Sequence, residues 1–213
     1  MSKSGSRNEQ RAEPVRLPEF DPKPSARFAV EILTEAGAPY ALIGRVAMWS
    51  LLPGGNVGFT KDVDFAVPRS AELGILKALA GRGIAPRSLP IGGWAVREPE
   101  IRVDFIDRRE GGLHTLYEEA IEEAQTAGGR ADIGGSTVPV VLPEHLVAMK
   151  IVAGEDRDET DAVELLGALP NLDLPRIRAI VAKHGGPGSA NRLDALARRA
   201  GRPDARPAYR NGD

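Results

Sequence analysis

Residues 60–65 of the chain read Thr-Lys-Asp-Val-Asp-Phe, and polar and apolar side chains alternate from Asp62 onward. This period of two is typical of a half-buried β-strand. Side chains two residues apart on a strand point to the same face, so Asp62 and Asp64 project together while Val63 and Phe65 pack behind them. Two carboxylates that close repel each other unless water or a cation lies between them. The pattern therefore predicts a divalent-cation site on one face of a small sheet.

A third carboxylate, Asp104, lies in another predicted strand, whose sequence at 101–106 is Ile-Arg-Val-Asp-Phe-Ile. Magnesium prefers oxygen ligands and keeps positions for water and substrate phosphates, so two or three carboxylates are the expected protein share. Three acids around two ions suit phosphoryl transfer. Each piece alone has a simpler interpretation, because a D-x-D at a strand edge often only blocks sheet pairing and a lone Asp is usually a surface residue.

A short apolar run at 40–43 precedes Gly44 and Arg45, and apolar residues then follow up to Pro53. This pattern predicts a strand, a tight glycine turn and a short helix. Gly44 would let the backbone approach a phosphate closely, and the N–H groups of the helix that follows would bind its oxygens. The conjunction of this turn with the D-x-D strand and the later Asp is more specific than any one part.

The remaining chain predicts an α+β fold, in which a small mixed sheet flanked by helices is followed by a helical region. The expected parts are a disordered arm at 1–24, an α/β core at 25–142, a helical region at 143–200 and a flexible tail at 201–213. The predicted helices span residues 25–37, 46–51, 69–81, 113–124, 144–153, 159–169, 174–184 and 191–200, and the predicted strands span 40–43, 62–67, 84–88, 94–97, 101–106 and 137–142. The glycine-rich segment at 185–189 is expected to separate the last two helices.

In the order and type of these residues, 38–106 resembles the nucleotidyltransferase superfamily with the DNA polymerase β-like fold. The signature of that family is a Gly-Gly or Gly-Ser turn, then a D-x-D, then a third acid. The resemblance implies that Asp62 and Asp64 bind two Mg²⁺ ions, and that Asp104 completes one metal site and assists deprotonation of the acceptor hydroxyl. It also implies a nucleoside triphosphate substrate, with the nucleotide contacts at Gly44, Arg45, Lys61 and Lys150.

Two further stretches, Met-Lys-Ile-Val-Ala at 149–153 and Arg-Asp-Glu-Thr-Asp at 157–161, resemble the K-L-x-A and D-x-x-D motifs of AbiE-type abortive-infection toxins. The stem of Lys150 lies on an apolar helix face, so its ammonium group either follows the stem to solvent or, as the resemblance implies, contacts a phosphate. Asp158 and Asp161 share one helix face. Asp158 can simply favour the helix N-terminus, with Asp156 as a possible cap, whereas Asp161 is the better candidate for supporting the active site.

Arg45 departs from the family pattern, because a small residue normally hydrogen-bonds phosphate at its position. Its guanidinium either pairs with phosphate itself, which we favour, or obstructs the nucleotide and marks an inactive member. The segment from Gly44 to Asp62 is also longer than the commoner family spacing. We therefore expect an inserted flexible loop at 53–58.

Composition and charge narrow the functional classes. The 213 residues, 42% hydrophobic and 27% charged, are typical of a globular protein, and the absence of Cys excludes disulfides, thiolate metal sites and thiol nucleophiles. No apolar run approaches the roughly 20 residues that span a bilayer, so we expect no membrane association and a cytoplasmic location. The segment 172–213 carries nine Arg and Lys against four Asp, and this basic C-terminal segment either contacts nucleic-acid phosphates or merely solvates a surface.

The preferred hypothesis is a magnesium-dependent enzyme that transfers a nucleoside monophosphate from a nucleoside triphosphate to a hydroxyl of RNA, such as a tRNA end, or to a protein. The toxin-like motifs suggest a toxin–antitoxin or phage-defence system with an antitoxin partner. A small-molecule acceptor such as an antibiotic is the alternative within the class, and an inactive binding protein of the same fold is the alternative outside it. His114, His145 and His184 lack metal-ligand spacing and are expected on helix surfaces or at caps.

Overall fold

The computed structural model describes residues 21–54, 60–97, 101–133 and 135–202. Within them the chain has an α+β fold, as predicted, with a seven-stranded mixed sheet and helices around it. Most of the expected arm, part of the expected loop at 53–58 and most of the expected tail lie outside the described residues. The first helix starts at Lys23, slightly before the expected end of the arm.

Helices and strands are interspersed through the first part of the chain, and three consecutive helices follow. The helices are α1 (Lys23–Glu35), α2 (Gly44–Leu51), α3 (Glu72–Gly81), α4 (His114–Thr126), α5 (Pro143–Ala153), α6 (Asp156–Ala168) and α7 (Leu174–Arg199). The strands are β1 (Ala41–Ile43), β2 (Asp62–Ala66), β3 (Arg87–Ser88), β4 (Trp94–Arg97), β5 (Arg102–Ile106), β6 (Gly129–Ile133) and β7 (Ser136–Val140). The order of strands across the sheet is β3-β4-β5-β2-β1-β7-β6.

The register of the central strands sets the position of the acidic residues. β2 and β5 run parallel with Asp64 opposite Asp104, and β1 runs antiparallel to β2 with Ile43 opposite Asp64. Val63 and Phe65 are fully buried, which confirms the predicted alternation along β2. A register shift of one residue would move both apolar side chains to the other face, so their burial fixes the face on which the carboxylates lie.

A buried hydroxyl fixes the start of β5. Ser25 on α1 is fully buried, and its Oγ accepts a hydrogen bond from the backbone N–H of Ile101 at 3.0 Å and donates one to the Ile101 carbonyl at 3.1 Å. The helix thereby holds the residue that precedes the strand carrying Asp104.

The helical region closes on itself through a contact between α7 and the turn after α5. α5 packs against α6 and α7, and it ends at Gly154, whose φ is 72°. Arg192 on α7 donates from Nη1 to the Ile151 carbonyl at 3.1 Å, and the same nitrogen would lie 2.1 Å from a Cβ on Gly154. The last helix therefore fixes the turn between α5 and α6.

Five of the seven described Arg and Lys residues in the basic C-terminal segment pair with acidic residues of the same chain. The described ion pairs of this segment are Arg176 with Glu123, Arg178 with Asp194, Lys183 with Glu119, and both Arg192 and Arg199 with Glu159. Among the described residues, these cations thus balance acids on α4, α6 and α7.

Two strands differ from the sequence prediction. β6 was not predicted, because this edge strand buries only Ile133 and shows no apolar alternation. The predicted strand at 84–88 is reduced to Arg87–Ser88. The two predicted C-terminal helices form α7, which is broken as expected at Gly186, where φ is 71° and ψ is −172°.

The described residues include no helix with both the length and the apolar composition needed to cross a bilayer.

Gly44, at the junction of β1 and α2, has a φ of 67°, and a Cβ there would lie 2.0 Å from Asp64 Oδ2. We expect Gly44→Ala to reduce the free energy of unfolding by about 2 kcal/mol or more, since it adds left-handed strain and displaces a carboxylate. Gly37→Ala is the matched control, because Gly37 has a φ of 62° but open space around it. Urea denaturation should show the smaller loss for Gly37→Ala, and equal losses would refute the role of the Asp64 contact.

Candidate metal centre

The three predicted acids meet at one point. Asp62, Asp64 and Asp104 each bring a carboxylate oxygen to within 4.8 Å of the others. Asp62 and Asp64 are half-buried and Asp104 is buried. All three line a cavity of about 260 Å³, whose walls come from β1, β2, β5 and helices α2, α4, α5 and α6.

Arg102 places a cation between two of these carboxylates. Its Nη2 lies 2.6 Å from Asp62 Oδ2 and 2.8 Å from Asp104 Oδ2. The other oxygen of Asp104, Oδ1, is buried and has no hydrogen-bond partner among the described residues. The three carboxylates converge, two of them attract the Arg102 cation, and one oxygen is buried without a partner among the described residues. This donor set fits a hard divalent ion such as Mg²⁺.

The electrostatics of the cluster oppose full ionisation. Burial raises the pKa of Asp64 to about 8, with further contributions from the charges of Asp62 and Asp104 and opposition from Lys150 and Arg102. Burial likewise raises the pKa of Asp104 to about 6, with Arg102 opposing and Asp62 adding to the shift. A bound divalent cation would favour the ionised carboxylates and relieve their repulsion.

A second set of charges forms the helical wall of the cavity. Lys150 Nζ donates to Asp158 Oδ1 at 2.7 Å and lies 3.0 Å from Asp161 Oδ2. Asp161, only 1% exposed, also accepts a hydrogen bond from Arg45 Nη2. Burial acts to lower the pKa of Lys150, but Asp158 and Asp161 outweigh it and the pKa lies above its usual value. The ammonium group therefore stays charged within the wall and does not follow its stem to bulk solvent.

The other predicted residues have mixed placements. Gly44 lines the cavity, but the space beside its Cα is taken by the Asp64 carboxylate. Lys61 is exposed and does not line the cavity, so the structure does not bring it together with the other predicted nucleotide contacts. The suggested cap at Asp156 is wrong, because Glu155 precedes the first residue of α6 and makes no side-chain cap bond.

Several cavity residues were not predicted as functional. Arg102 lies two residues before Asp104 on the same strand face, so the period of two along β5 could have predicted that it reaches the site. Tyr117 on α4 reads as part of an apolar helix stripe, and burial raises its pKa to about 12, so its phenol is neutral. Arg108 follows β5 in a loop and gave no pattern.

The predicted surface positions of two histidines are wrong. His145 on α5 is 2% exposed, and its Nδ1 lies 3.5 Å from Glu123 Oε2. The side chain of His184 on α7 is 4% exposed, with its Nε2 3.0 Å from Glu119 Oε2. Neither histidine lines the cavity, so both belong to the packing of α4 against α5 and α7.

Comparison with known proteins gives matches only among solved structures, since no protein-family model and no curated protein matches the chain. The antibiotic-resistance factor ANT(2'')-Ia aligns with 82% of this chain and 94% of its own, at 13% identity and a TM-score of 0.49. An antigenic nucleotidyltransferase-like protein from Paracoccidioides brasiliensis aligns over 81% and 93%, at 18% identity and a TM-score of 0.44. A tRNA-processing enzyme aligns over 82% and 59%, at 15% identity and a TM-score of 0.32. At these identities and scores, the substrates of those proteins do not carry over to this chain.

Arg102 and a divalent ion would compete for Asp62 and Asp104. We expect Arg102→Ala to bind Mn²⁺ about tenfold more tightly, because the variant loses charge-assisted hydrogen bonds that metal binding must break. Titration followed by electron paramagnetic resonance, without nucleotide, measures the affinity. Arg97→Ala removes an exposed arginine from the position paired with Arg102 on β4 and should change it little. Unchanged or weaker Mn²⁺ binding by Arg102→Ala would show that Arg102 does not compete.

The raised pKa of Asp64 predicts a pH dependence of stability. Folded protein keeps a proton on Asp64 up to about pH 8, whereas the unfolded chain releases it near pH 4. The contribution of this group to stability is therefore complete below about pH 4 and is lost as pH rises through about 8.

We expect the melting temperature in EDTA to fall between pH 6 and 8.5, and to fall less in Asp64→Asn, which cannot titrate there. Added Mg²⁺ should raise it more at pH 8.5 than at pH 6, because ligands must be deprotonated. Equal slopes for the two proteins in differential scanning fluorimetry would contradict this assignment.

Proposed function

We propose that the chain is a magnesium-dependent nucleotidyltransferase, which transfers a nucleoside monophosphate from a nucleoside triphosphate to an acceptor hydroxyl and releases pyrophosphate. The observation that carries this proposal is the meeting of Asp62, Asp64 and Asp104 in one cavity with a wall of fixed cations. Carboxylates that hold divalent ions beside cations that bind phosphate are the two requirements of phosphoryl transfer.

The chemistry divides between the two sides of the cavity. Asp62, Asp64 and Asp104 would hold Mg²⁺, which when bound neutralises phosphate charge and lowers the pKa of the attacking hydroxyl. Lys150 and Arg45 would bind oxygens of the triphosphate. The acceptor oxygen forms a bond to the α-phosphorus, the bond from that phosphorus to the bridging oxygen breaks, and pyrophosphate leaves. Asp104, which lines the cavity and whose pKa burial raises to about 6, would receive the hydroxyl proton.

The contacts of Arg45 favour an active site over an obstructed one. Among the described residues, its guanidinium pairs with Asp161 and not with any of the three convergent acids. Asp161 thus holds Arg45 and Lys150 side by side, in the wall where phosphate oxygens need cations. This arrangement supports phosphate pairing by Arg45, and the inactive binding protein becomes the weaker alternative.

The chemical class of the acceptor must be decided by the residues of the cavity. The basic C-terminal segment is one argument for RNA, but five of its seven described cations pair with acids of the same chain, which weakens that support. The toxin–antitoxin role has its support in the motifs at 149–153 and 157–161, which supply Lys150 and Asp161. A small-molecule hydroxyl is the competing acceptor class.

The activity is tested by incubating the protein with each α-³²P-labelled nucleoside triphosphate, Mg²⁺, and either total RNA or a small-molecule extract. We expect label in one acceptor pool. Asp64→Ala should abolish it, and Lys150→Ala should reduce it at least 100-fold while Mn²⁺ still binds. Lys77→Ala, an exposed lysine on α3, is the matched control and should label normally.

Absence of label with every triphosphate would refute the transferase, and undiminished label with Asp64→Ala would refute the proposed site.

A further inference from the structure

Arg108 has a backbone conformation that its side chain disfavours. Among the described residues other than glycine, it alone has a positive φ, 46°. Left-handed backbone is strained for a residue with a long side chain, and such strain is typical of positions where the side chain is needed. Arg108 lies four residues beyond Asp104 and lines the same cavity.

The two neighbours of Arg108 make contacts outside the candidate active site. Asp107 is buried and accepts a hydrogen bond from Arg109 Nε at 2.6 Å. Arg109 also donates to Glu72 Oε2 at 3.0 Å, and its guanidinium lies 5.0 Å from the ring centroid of Trp94. Arg109 and Trp94 line a different cavity. Of residues 107–109, only Arg108 lines the candidate active site.

The surroundings of Arg108 leave its charge available. Arg45, Arg102 and Lys150 each pair with a carboxylate, whereas Arg108 forms no ion pair with any described residue. Ile106 lies two residues before Arg108, and the Ile91 carbonyl accepts a hydrogen bond from the backbone N–H of Glu110, two residues after it. The charge of Arg108 also acts on the neutral phenol of Tyr117. Ile91, Ile106 and Tyr117 all line the cavity. A free guanidinium beside apolar and aromatic side chains suits a nucleoside phosphate.

The in-line geometry of the transfer separates the two substrates, and this separation indicates which of them Arg108 binds. The leaving pyrophosphate and the attacking hydroxyl lie on opposite sides of the α-phosphorus. Arg45 and Lys150 on α2 and α5 already supply cations for the triphosphate, whereas Arg108 follows β5, the strand of the proposed proton acceptor Asp104. Resting on the proposed function, we propose that Arg108 binds a phosphate of the acceptor, which is then the hydroxyl end of a nucleic-acid strand. A polycationic small molecule would meet like charge there.

The test measures binding apart from catalysis. Fluorescence anisotropy of a short 5'-labelled oligoribonucleotide with a free 3'-hydroxyl is recorded with Mg²⁺ and without nucleotide. Arg108→Asn removes the charge but tolerates left-handed backbone, and it should weaken binding about tenfold without lowering the melting temperature. Arg108→Lys should lose less, and Arg87→Asn, an exposed arginine on β3, should lose nothing.

Binding of a fluorescent nucleoside triphosphate to the same variants separates the two substrates. Loss of triphosphate binding equal to that of RNA binding would assign Arg108 to the triphosphate and overturn the proposal. Unchanged RNA binding by Arg108→Asn, or tighter binding of a polycationic aminoglycoside than of RNA by the unmodified protein, would also overturn it. If RNA binding depends on Arg108 but no nucleotide is ever transferred, the phosphate contact stands and the proposed transferase fails.

Discussion

The repulsion among three carboxylates is the constraint on which the rest of the structure depends. The parallel register of β2 and β5 puts Asp64 opposite Asp104, and the period of the strand adds Asp62 on the same face. Burial raises the pKa values of Asp64 and Asp104, and the charges of neighbouring carboxylates add to both shifts. Arg102 bridges Asp62 and Asp104, and the absence of a side chain at Gly44 leaves room for the Asp64 carboxylate. The neighbouring residues are thus arranged around a cluster of negative charge that a cation would stabilise.

The helical region supplies a positive charge on the opposite side of the cavity. Lys150 reaches the cavity from α5, and Asp158 and Asp161 on α6 hold it in place. Because Asp161 also holds Arg45 from α2, one buried carboxylate joins the sheet-associated helix to the helical region. Cations that are already fixed lose little freedom when a phosphate binds, which is the basis of a preorganised site.

The sequence predicted what depends on local periodicity. The alternation along β2 identified both the strand and the shared face of its acids, and β5 supplied the third. Lys61 stays a prediction, since it precedes β2, is exposed and does not line the cavity. Arg108 and Tyr117 reach the cavity through a loop and the approach of α4, and no spacing in the sequence encodes those contacts. β6 was missed because an exposed edge strand needs little apolar content.

The contact of Arg192 with the turn at Gly154 has a consequence for the order in which the site matures. Lys150 and Asp161 stand on either side of that turn, so their positions depend on a helix close to the end of the described chain. In a protein made from its N-terminus, the three acids leave the ribosome long before Arg192. Arg192 can therefore hold the turn that positions Lys150 and Asp161 only after the three acids have been synthesised. Formation of the cationic wall thus depends on a segment made later than the strands that carry the acidic cluster.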